Sequence, residues 1–169
     1  MNAEHYAILG LLKTSPAHGY SLFKQFHVKD GLGQVITVKK SLFYAYCDQL
    51  LEKGLVVLGK EEVCDSRKRH IIEITENGLK EFREWISMPV KNTRSIRRDF
   101  LIKRYFIPKY ASDNAERLFR DQLAVCESWI EKNQQAEKGD PFSETVERFR
   151  RAQIDAVIAW LKQEIEELL

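Results

Sequence analysis

Cysteines are few in this sequence, and nothing in their spacing joins them. The three, Cys47, Cys64 and Cys126, are odd in number, lie far apart and form no C-x-x-C pair. A disulfide framework needs an even set and a zinc site needs closely spaced ligands, so both are disfavoured. We expect structural thiols. A reactive or redox-sensing cysteine is the weaker alternative, because reactivity depends on the local pKa.

Long apolar runs and a strong net charge are also missing. No apolar run approaches the roughly 20 residues of a membrane helix, and the N-terminal segment lacks the features of a signal peptide. We therefore expect a cytoplasmic protein with no membrane partner. The 27 lysines and arginines nearly balance the 25 acids, so the net charge of +2 gives no reason to expect nucleic acid. A chain of 169 residues that is 44% hydrophobic can build one ordinary core or two small ones.

Common catalytic motifs are absent as well. The chain contains no G-x-x-x-x-G-K-[ST], H-E-x-x-H or G-x-S-x-G segment. These patterns cradle phosphates, bind catalytic zinc or present a nucleophilic serine. The four histidines have no metal-ligand spacing. We predict that the protein is not an enzyme and uses no metal or cofactor.

The most informative part of the chain is the segment 39–75. Residues 40–53 predict a helix, because four apolar side chains share one helical face: Phe43, Cys47, Leu50 and Leu51. Gly54 is a typical helix end, since glycine enters the left-handed conformation without a Cβ clash.

Two β-runs follow this helix, at residues 55–58 and 71–74. The tip between them carries three consecutive cations, Arg67, Lys68 and Arg69. A helix followed by a hairpin with a cationic tip predicts a winged helix, in which the helix enters the major groove and the wing lies along phosphates. The alternative for the three cations is a solvated turn.

Short elements are expected on both sides of this segment. Helices are predicted at 3–13 and 20–28, and residues 35–38 suggest a short strand. Thr75 is a suitable N-cap for a helix that reaches Ile86.

The second half of the chain predicts helices only. They are expected at 96–107, stopping before Pro108, then from Ser112 or Asp113 to about residue 136, and from Ser143 to residue 169. The two long helices have apolar faces too broad to hide against each other alone, so they need the shorter helix or a second subunit. We expect a homodimer with contacts on the last helix at Phe149, Val157, Ile158, Trp160, Leu161 and Ile165.

These patterns together predict a mainly α fold with a small β-hairpin wing. Residues 1–89 would form a winged helix-turn-helix DNA-binding domain, and residues 90–169 a helical dimerisation domain.

Several short segments resemble the PadR family of transcriptional regulators. The sequences AILGLL at 7–12 and SPAHGY at 15–20 are similar to the family's opening. The likeness continues in the same order with Phe43-Tyr44-Ala45, Leu50, EKGL at 52–55 and TENG at 75–78. The helical tail, which includes Trp160-Leu161, is similar to the larger branch that contains the virulence activator AphA. The resemblance covers residues 3–86 well and the tail loosely.

The resemblance implies a dimeric winged-helix DNA-binding protein, usually a repressor and sometimes an activator, whose C-terminal helices form the dimer. Tyr44 matches the tyrosine of the family's recognition helix, and Arg67 to Arg69 match its basic wing. His18, Gly19 and Tyr20 match the start of the helix that supports the recognition helix.

The chain departs from the family at three positions of the recognition helix. Lys39 stands where a serine commonly starts that helix, Cys47 stands where leucine is usual, and Leu42 stands where a small or polar residue is common. These departures concern the base-reading pattern and not the fold.

DNA contacts are expected at ten side chains: Lys39, Lys40, Ser41, Tyr44, Gln49, Arg67, Lys68, Arg69, His18 and Tyr20. The start of a recognition helix usually meets base edges, where lysine can pair with guanine and glutamine with adenine. Each expectation has a plainer alternative. The lysines would touch phosphates only, Ser41 would only cap, Tyr44 would pack with its hydroxyl on a phosphate, and His18 would be structural.

Our hypothesis is a homodimeric transcriptional regulator, of repressor type, that binds a pseudo-palindromic site in double-stranded DNA. A small aromatic effector is a further possible partner, because Trp129, Trp160, Phe142 and Phe149 could line a pocket, although core or dimer packing is favoured. Two rival hypotheses stay open: a winged-helix protein-interaction module, and an aromatic-ligand-binding protein without a DNA role.

Overall fold

A computed structural model describes residues 1–64, 67–110, 115–134 and 140–168, and gives the backbone alone at 62–64, 67–69, 108–110, 132–134 and 168. In chain order the elements are α1 (Ala3–Thr14), β1 (Ala17–His18), α2 (Gly19–Gln25), a 3₁₀ turn (Leu32–Gln34), α3 (Lys40–Glu52), β2 (Val56–Cys64), β3 (Arg67–Ile74), α4 (Glu76–Ser87), α5 (Ile96–Tyr110), α6 (Ala115–Gln134) and α7 (Pro141–Leu168). The predicted fold class, mainly α with a small β-hairpin, is confirmed.

Two compact units make up the described chain. The first contains Met1–Ile86 together with Leu101–Ile107, and the second contains Ser87–Phe100 together with Pro108–Leu169. The middle of α5 therefore belongs to the first unit, where the Phe106 ring lies 5.5 Å from that of Phe82. The predicted domains, 1–89 and 90–169, remain a prediction.

The sheet of the first unit has three antiparallel strands in the order β1-β3-β2. The β2–β3 hairpin is longer than the sequence predicted. Val56 pairs with Ile74 at its base and Cys64 with Arg67 at its far end. The three cations therefore lie within strand β3 and not in the turn. β1, which the sequence did not predict, pairs Ala17 with Ile72.

The prediction of a strand at residues 35–38 is wrong. The amides of Val35 and Ile36 both donate to the carbonyl of Leu32 at 2.9 Å, so the backbone continues the helical turn there and not an extended strand. Ile36 and Val38 are nevertheless buried, so their apolar character serves the core as part of a loop.

Gly54 and Thr75 connect α3, the hairpin and α4. Gly54 has a φ of 66°, the left-handed conformation expected at a helix end. The Thr75 hydroxyl donates to the Gly54 carbonyl at 2.8 Å and accepts from the Gly78 amide at 3.1 Å. The predicted N-cap at Thr75 is confirmed, and the same side chain joins both helix ends.

His5 anchors α1 to α3. It forms a capping box with Asn2 at the start of α1. Its Nε2 donates to Gln49 Oε1 at 2.8 Å, and its ring centroid lies 4.6 Å from that of Tyr46. The ring is buried, and this burial, as the largest cause, lowers the pKa of His5 below its ordinary value.

The second unit is built around an aromatic cluster of Phe100, Phe119 and Trp160. The Phe100 ring lies 5.1 Å from Phe119 and 5.8 Å from Trp160, both edge-on. Side chains of α7, including Ile154, are buried in the same unit. The second unit therefore has a core of its own.

Two helix ends in the second half differ from the sequence predictions. Asp140, and not Ser143, caps α7, because Asp140 Oδ1 accepts from the amides of Phe142 at 2.9 Å and Ser143 at 3.3 Å. Helix α5 continues to Tyr110 and does not stop before Pro108. The caps expected at Ser112 or Asp113, and the helix end near residue 136, lie outside the described residues.

A buried glutamine holds the chain segment that follows α4. Gln122 on α6 is fully buried, and its Oε1 accepts from the Val90 amide at 2.6 Å. Its Nε2 donates to the Val90 carbonyl at 3.0 Å. One side chain thus satisfies both backbone groups of a buried residue, as burial requires.

Within the described part of the chain, none of the helices has the length and apolar character needed to cross a membrane.

We predict that His5 makes the stability of the protein dependent on pH. Because its native pKa lies below the ordinary 6.5, the unfolded chain takes up a proton on this ring before the native chain does. The contribution is complete above pH 6.5 and is lost as the pH falls toward the lowered native pKa. Urea unfolding of His5→Gln should therefore depend less on pH below 6.5 than unfolding of the wild type.

The exposed His27, replaced by glutamine in the same way, is the matched control for this experiment. An identical pH dependence in wild type and His5→Gln would contradict the prediction.

We also predict that Gln122→Leu destabilises the protein by about 2 to 4 kcal/mol, because it leaves two buried backbone groups of Val90 without partners. Urea unfolding measures the loss. The control is Gln25→Leu at an exposed position of α2, where a change within about 0.5 kcal/mol is expected. Equal stability of Gln122→Leu and wild type would refute the role assigned to this side chain.

Candidate nucleic-acid interface

Helix α3 is held by its apolar face and exposes its first turn. Phe43 is fully buried, and its ring centroid lies 5.6 Å from those of Phe23 and Phe26 in edge-on packing. Cys47 and Leu50 continue the buried face. This packing leaves Lys39, Lys40 and Ser41 exposed at the N-terminal end of the helix.

The exposed first turn of α3 is suited to bind a negatively charged group. Lys39 occupies the N-cap position but makes no side-chain capping hydrogen bond, and the turn contains no acidic residue. The first amides of a helix have no partners within the helix, and the helix dipole is positive at this end. Two lysines beside these amides make the turn suitable for phosphate or for the acceptor atoms of base edges.

Tyr44 is packed on one side and exposed on the other. Its ring is edge-on to Phe43, with centroids 5.5 Å apart, and the residue is 37% exposed. A Cβ atom on Gly19 would lie 3.2 Å from Tyr44 Cε1, so the start of α2 touches this ring closely. Tyr20 beside it is exposed, with Lys24 Nζ 4.7 Å from the centre of its ring.

Two of the side chains that were expected to contact DNA form hydrogen bonds within the chain. Gln49 is exposed, but its Oε1 accepts from His5. An amide that pairs with adenine uses both its oxygen and its nitrogen, so that contact would have to break. His18 occupies the N-cap of α2 without a side-chain cap, and its Nδ1 donates to the His70 carbonyl at 3.3 Å. This bond favours a structural role for His18.

For the three cations of the hairpin, only the backbone positions are described. Arg67, Lys68 and Arg69 pair with Cys64, Val63 and Glu62 across the hairpin, and the directions of their side chains lie outside the described residues. Nearer the base of the hairpin, His70 Nε2 lies 3.9 Å from Glu61 Oε2.

Sequence reasoning assigned no DNA contact to Leu42. This residue is 45% exposed in the first turn of α3, beside the lysines. The sequence could have indicated this exposed position, because Leu42 lies outside the apolar face formed by Phe43, Cys47 and Leu50.

The expected dimer residues of α7 fall into two groups. Phe149 is 64% exposed, while Leu161 and Ile165 are buried within their own unit. Val157, Ile158 and Trp160 are half-buried. Trp160 Nε1 also donates to Glu164 at 3.2 Å, which fits a packed aromatic side chain better than an open ligand pocket.

Cys47, Cys126 and the titratable clusters among the described residues give no sign of chemistry. Burial raises the pKa of Cys47 to about 12 and also raises the pKa of Cys126, which disfavours the thiolate. Over the residues with described positions, no group of three or more His, Cys, Asp or Glu side chains could hold a metal ion.

Comparison with known proteins identifies proteins similar to this chain. The Transcriptional regulator PadR-like family matches residues 8–84. The Negative transcriptional regulator PadR of Bacillus subtilis (strain 168) is 28% identical over 123 residues, which span 73% of this chain and 66% of that protein. The aligned region is thus just under two thirds of the relative's length.

Solved structures align with nearly the whole chain. Bacillus subtilis PadR in complex with operator DNA has a TM-score of 0.51 and 22% identity, covering 100% of this chain and 99% of that one. The Vibrio cholerae virulence activator AphA has a TM-score of 0.45 and 18% identity, covering 98% and 93%. Residues 8–84 are therefore identified as a PadR-like domain.

Proposed function

We propose that the protein is a sequence-specific DNA-binding transcriptional regulator that acts as a homodimer on a pseudo-palindromic operator. The observation that carries this proposal is the first turn of α3, exposed, cationic and without a side-chain cap. Repression is the proposed direction of control, because the Bacillus subtilis relative is a negative transcriptional regulator.

Helix α3 would enter the major groove with Lys39, Lys40 and Ser41 leading. The buried Phe43 fixes the rotation of the helix, so these three side chains stay on the outside. Lysine donates to guanine O6 and N7 or to phosphate, and serine can bond to several bases. Tyr44, held against Gly19, supplies a rigid side chain at the edge of this contact.

The β2–β3 hairpin would lie along the phosphate backbone. Three consecutive cations in the outer part of strand β3 concentrate positive charge on the wing. Such a wing can contact phosphates while the helix fixes the register. These contacts supply affinity and not sequence preference.

Helix α7 carries a second apolar stripe that its own unit does not use. Phe142 and Phe149 are 75% and 64% exposed and lie seven residues apart. The heptad spacing continues through Ala156 and Gln163, with Thr145, Ala152 and Ala159 at the intermediate positions, and all of these are exposed. This set, the α7 seam, has the a and d pattern through which paired helices pack.

The α7 seam would join two copies of the chain. A large exposed apolar stripe on a soluble protein commonly marks an interaction surface, and twofold homodimers are the commonest oligomers. A twofold axis would hold two α3 helices about one DNA turn apart, roughly 34 Å, and would make the operator pseudo-palindromic.

The proposal is tested first by selection from a pool of random DNA duplexes. The full-length protein should enrich particular sequences, and fluorescence anisotropy should give tighter binding to an enriched duplex than to its shuffled version at two salt concentrations. Enrichment of no sequence would contradict specific DNA binding and would favour the protein-interaction hypothesis.

We predict that replacing Arg67, Lys68 and Arg69 together with alanine weakens binding to enriched and shuffled duplexes alike. Each lost phosphate contact should lower the slope of log affinity against log salt by about 0.9. Anisotropy titrations over a salt series measure both effects. The control removes three exposed cations elsewhere, Arg117, Arg120 and Lys162, and should change the slope little. Unchanged affinity and slope in the first variant would refute the wing assignment.

We predict that Phe149→Glu converts the proposed dimer to monomers, because each copy would bring a charge into the seam without disturbing the core of the unit. Light scattering at fixed protein concentration measures the mass. Ala124→Glu, at an exposed position of α6, is the matched control. A charged residue at Leu161 is a poor test, since Leu161 is fully buried and the unit itself would unfold. A dimer that persists in Phe149→Glu would exclude the α7 seam.

A further inference from the structure

Leu42 is an exposed leucine in the middle of a polar surface. It lies in the first turn of α3, follows Lys39, Lys40 and Ser41, and is 45% exposed. Its neighbour Phe43 turns inward and is fully buried. Leu42 thus adds little to the core of its own unit and leaves apolar surface in water, which is unfavourable unless another surface covers it.

The position of Leu42 on the helix decides what that other surface can be. Residues three, four and seven apart share a face of a helix, so Leu42 lies in line with Ala45 and Gln49. This stripe borders the outward face that carries Ser41 and Asp48, both exposed. In the proposed DNA complex the first turn of α3 faces base edges. Leu42 would then be one of the side chains that face them.

A leucine side chain can neither donate nor accept a hydrogen bond, so it can recognise only an apolar feature of a base. The major groove presents one such feature, the C5-methyl group of thymine. Cytosine lacks this methyl group, so leucine would lose its apolar contact there. Leu42 would therefore favour thymine over cytosine.

We propose that Leu42 is a specificity-determining residue that packs on the C5-methyl group of a thymine in each half-site. The proposal rests on the DNA-binding function proposed above and adds the base that one side chain reads. It separates roles within the first turn: the lysines attract the polyanion and donate to acceptor atoms, while Leu42 distinguishes a methylated pyrimidine.

The test removes single methyl groups from the DNA. In a duplex enriched from the random pool by the wild-type protein, each thymine is replaced in turn by deoxyuridine, which lacks only the C5-methyl group. Affinities of wild type, Leu42→Ala and the control Met88→Ala are measured by anisotropy. Met88 is 50% exposed and lies outside α3, so its variant removes a similar apolar side chain elsewhere.

At least one replacement per half-site should weaken wild-type binding about fourfold, the effect of one buried methyl group. The same replacement should leave the affinity of Leu42→Ala unchanged, and Met88→Ala should behave as wild type. This coupling between one side chain and one methyl group is what a double-mutant cycle isolates. Because alanine favours helices and position 42 is exposed, Leu42→Ala should keep its fold, as circular dichroism would verify.

Two results would overturn the proposal while leaving the proposed function intact. One is an enriched duplex in which no deoxyuridine replacement affects the wild type. The other is a replacement that weakens wild type and Leu42→Ala by the same factor. Failure of the pool to yield any enriched duplex would instead overturn specific DNA binding, and the reading of thymine with it.

Discussion

The contact between Gly54 and Thr75 is the constraint on which the first unit depends. α3 ends where Gly54 takes its left-handed conformation, and the Thr75 hydroxyl bonds to that carbonyl while capping α4. The Thr75 amide also donates to the Leu55 carbonyl at 3.0 Å, closing the base of the hairpin. Helix, wing and following helix therefore meet at one point, and the orientation of α3 relative to the wing is fixed there.

The elements that the sequence predicted well are those whose signals are local. The α3 helix, its end at Gly54 and the cap at Thr75 depend on residues close in the chain. The failures have non-local causes. Residues 35–38 suggested a strand because all four are β-branched, but the backbone at Val35 and Ile36 bonds to the Leu32 carbonyl instead. The pairing of Ala17 with Ile72 joins residues far apart in sequence, which no local pattern predicts.

In the candidate interface, too, local features could be predicted from the sequence and non-local contacts could not. Charge and position predicted Lys39, Lys40 and Ser41, and the structure leaves them exposed. Spacing could not predict that Gln49 bonds to His5, since that contact requires α1 and α3 to be packed together. On α7 the sequence contains two apolar stripes, and only the packing of Ile154 and Leu161 distinguishes the stripe that serves the core from the exposed α7 seam.

A net charge of only +2 restricts how such a protein can recognise DNA. Long-range attraction of the whole molecule is weak, so in the proposed complex affinity would come from cations at two specific places, the first turn of α3 and the wing. Phosphate contacts of this kind do not discriminate sequences. Discrimination would then depend on the few side chains that reach base edges, where the proposed contact of Leu42 would add apolar selectivity that charge cannot provide. Dimerisation through the proposed α7 seam would double both contributions, and the seam would then be as necessary to specificity as helix α3.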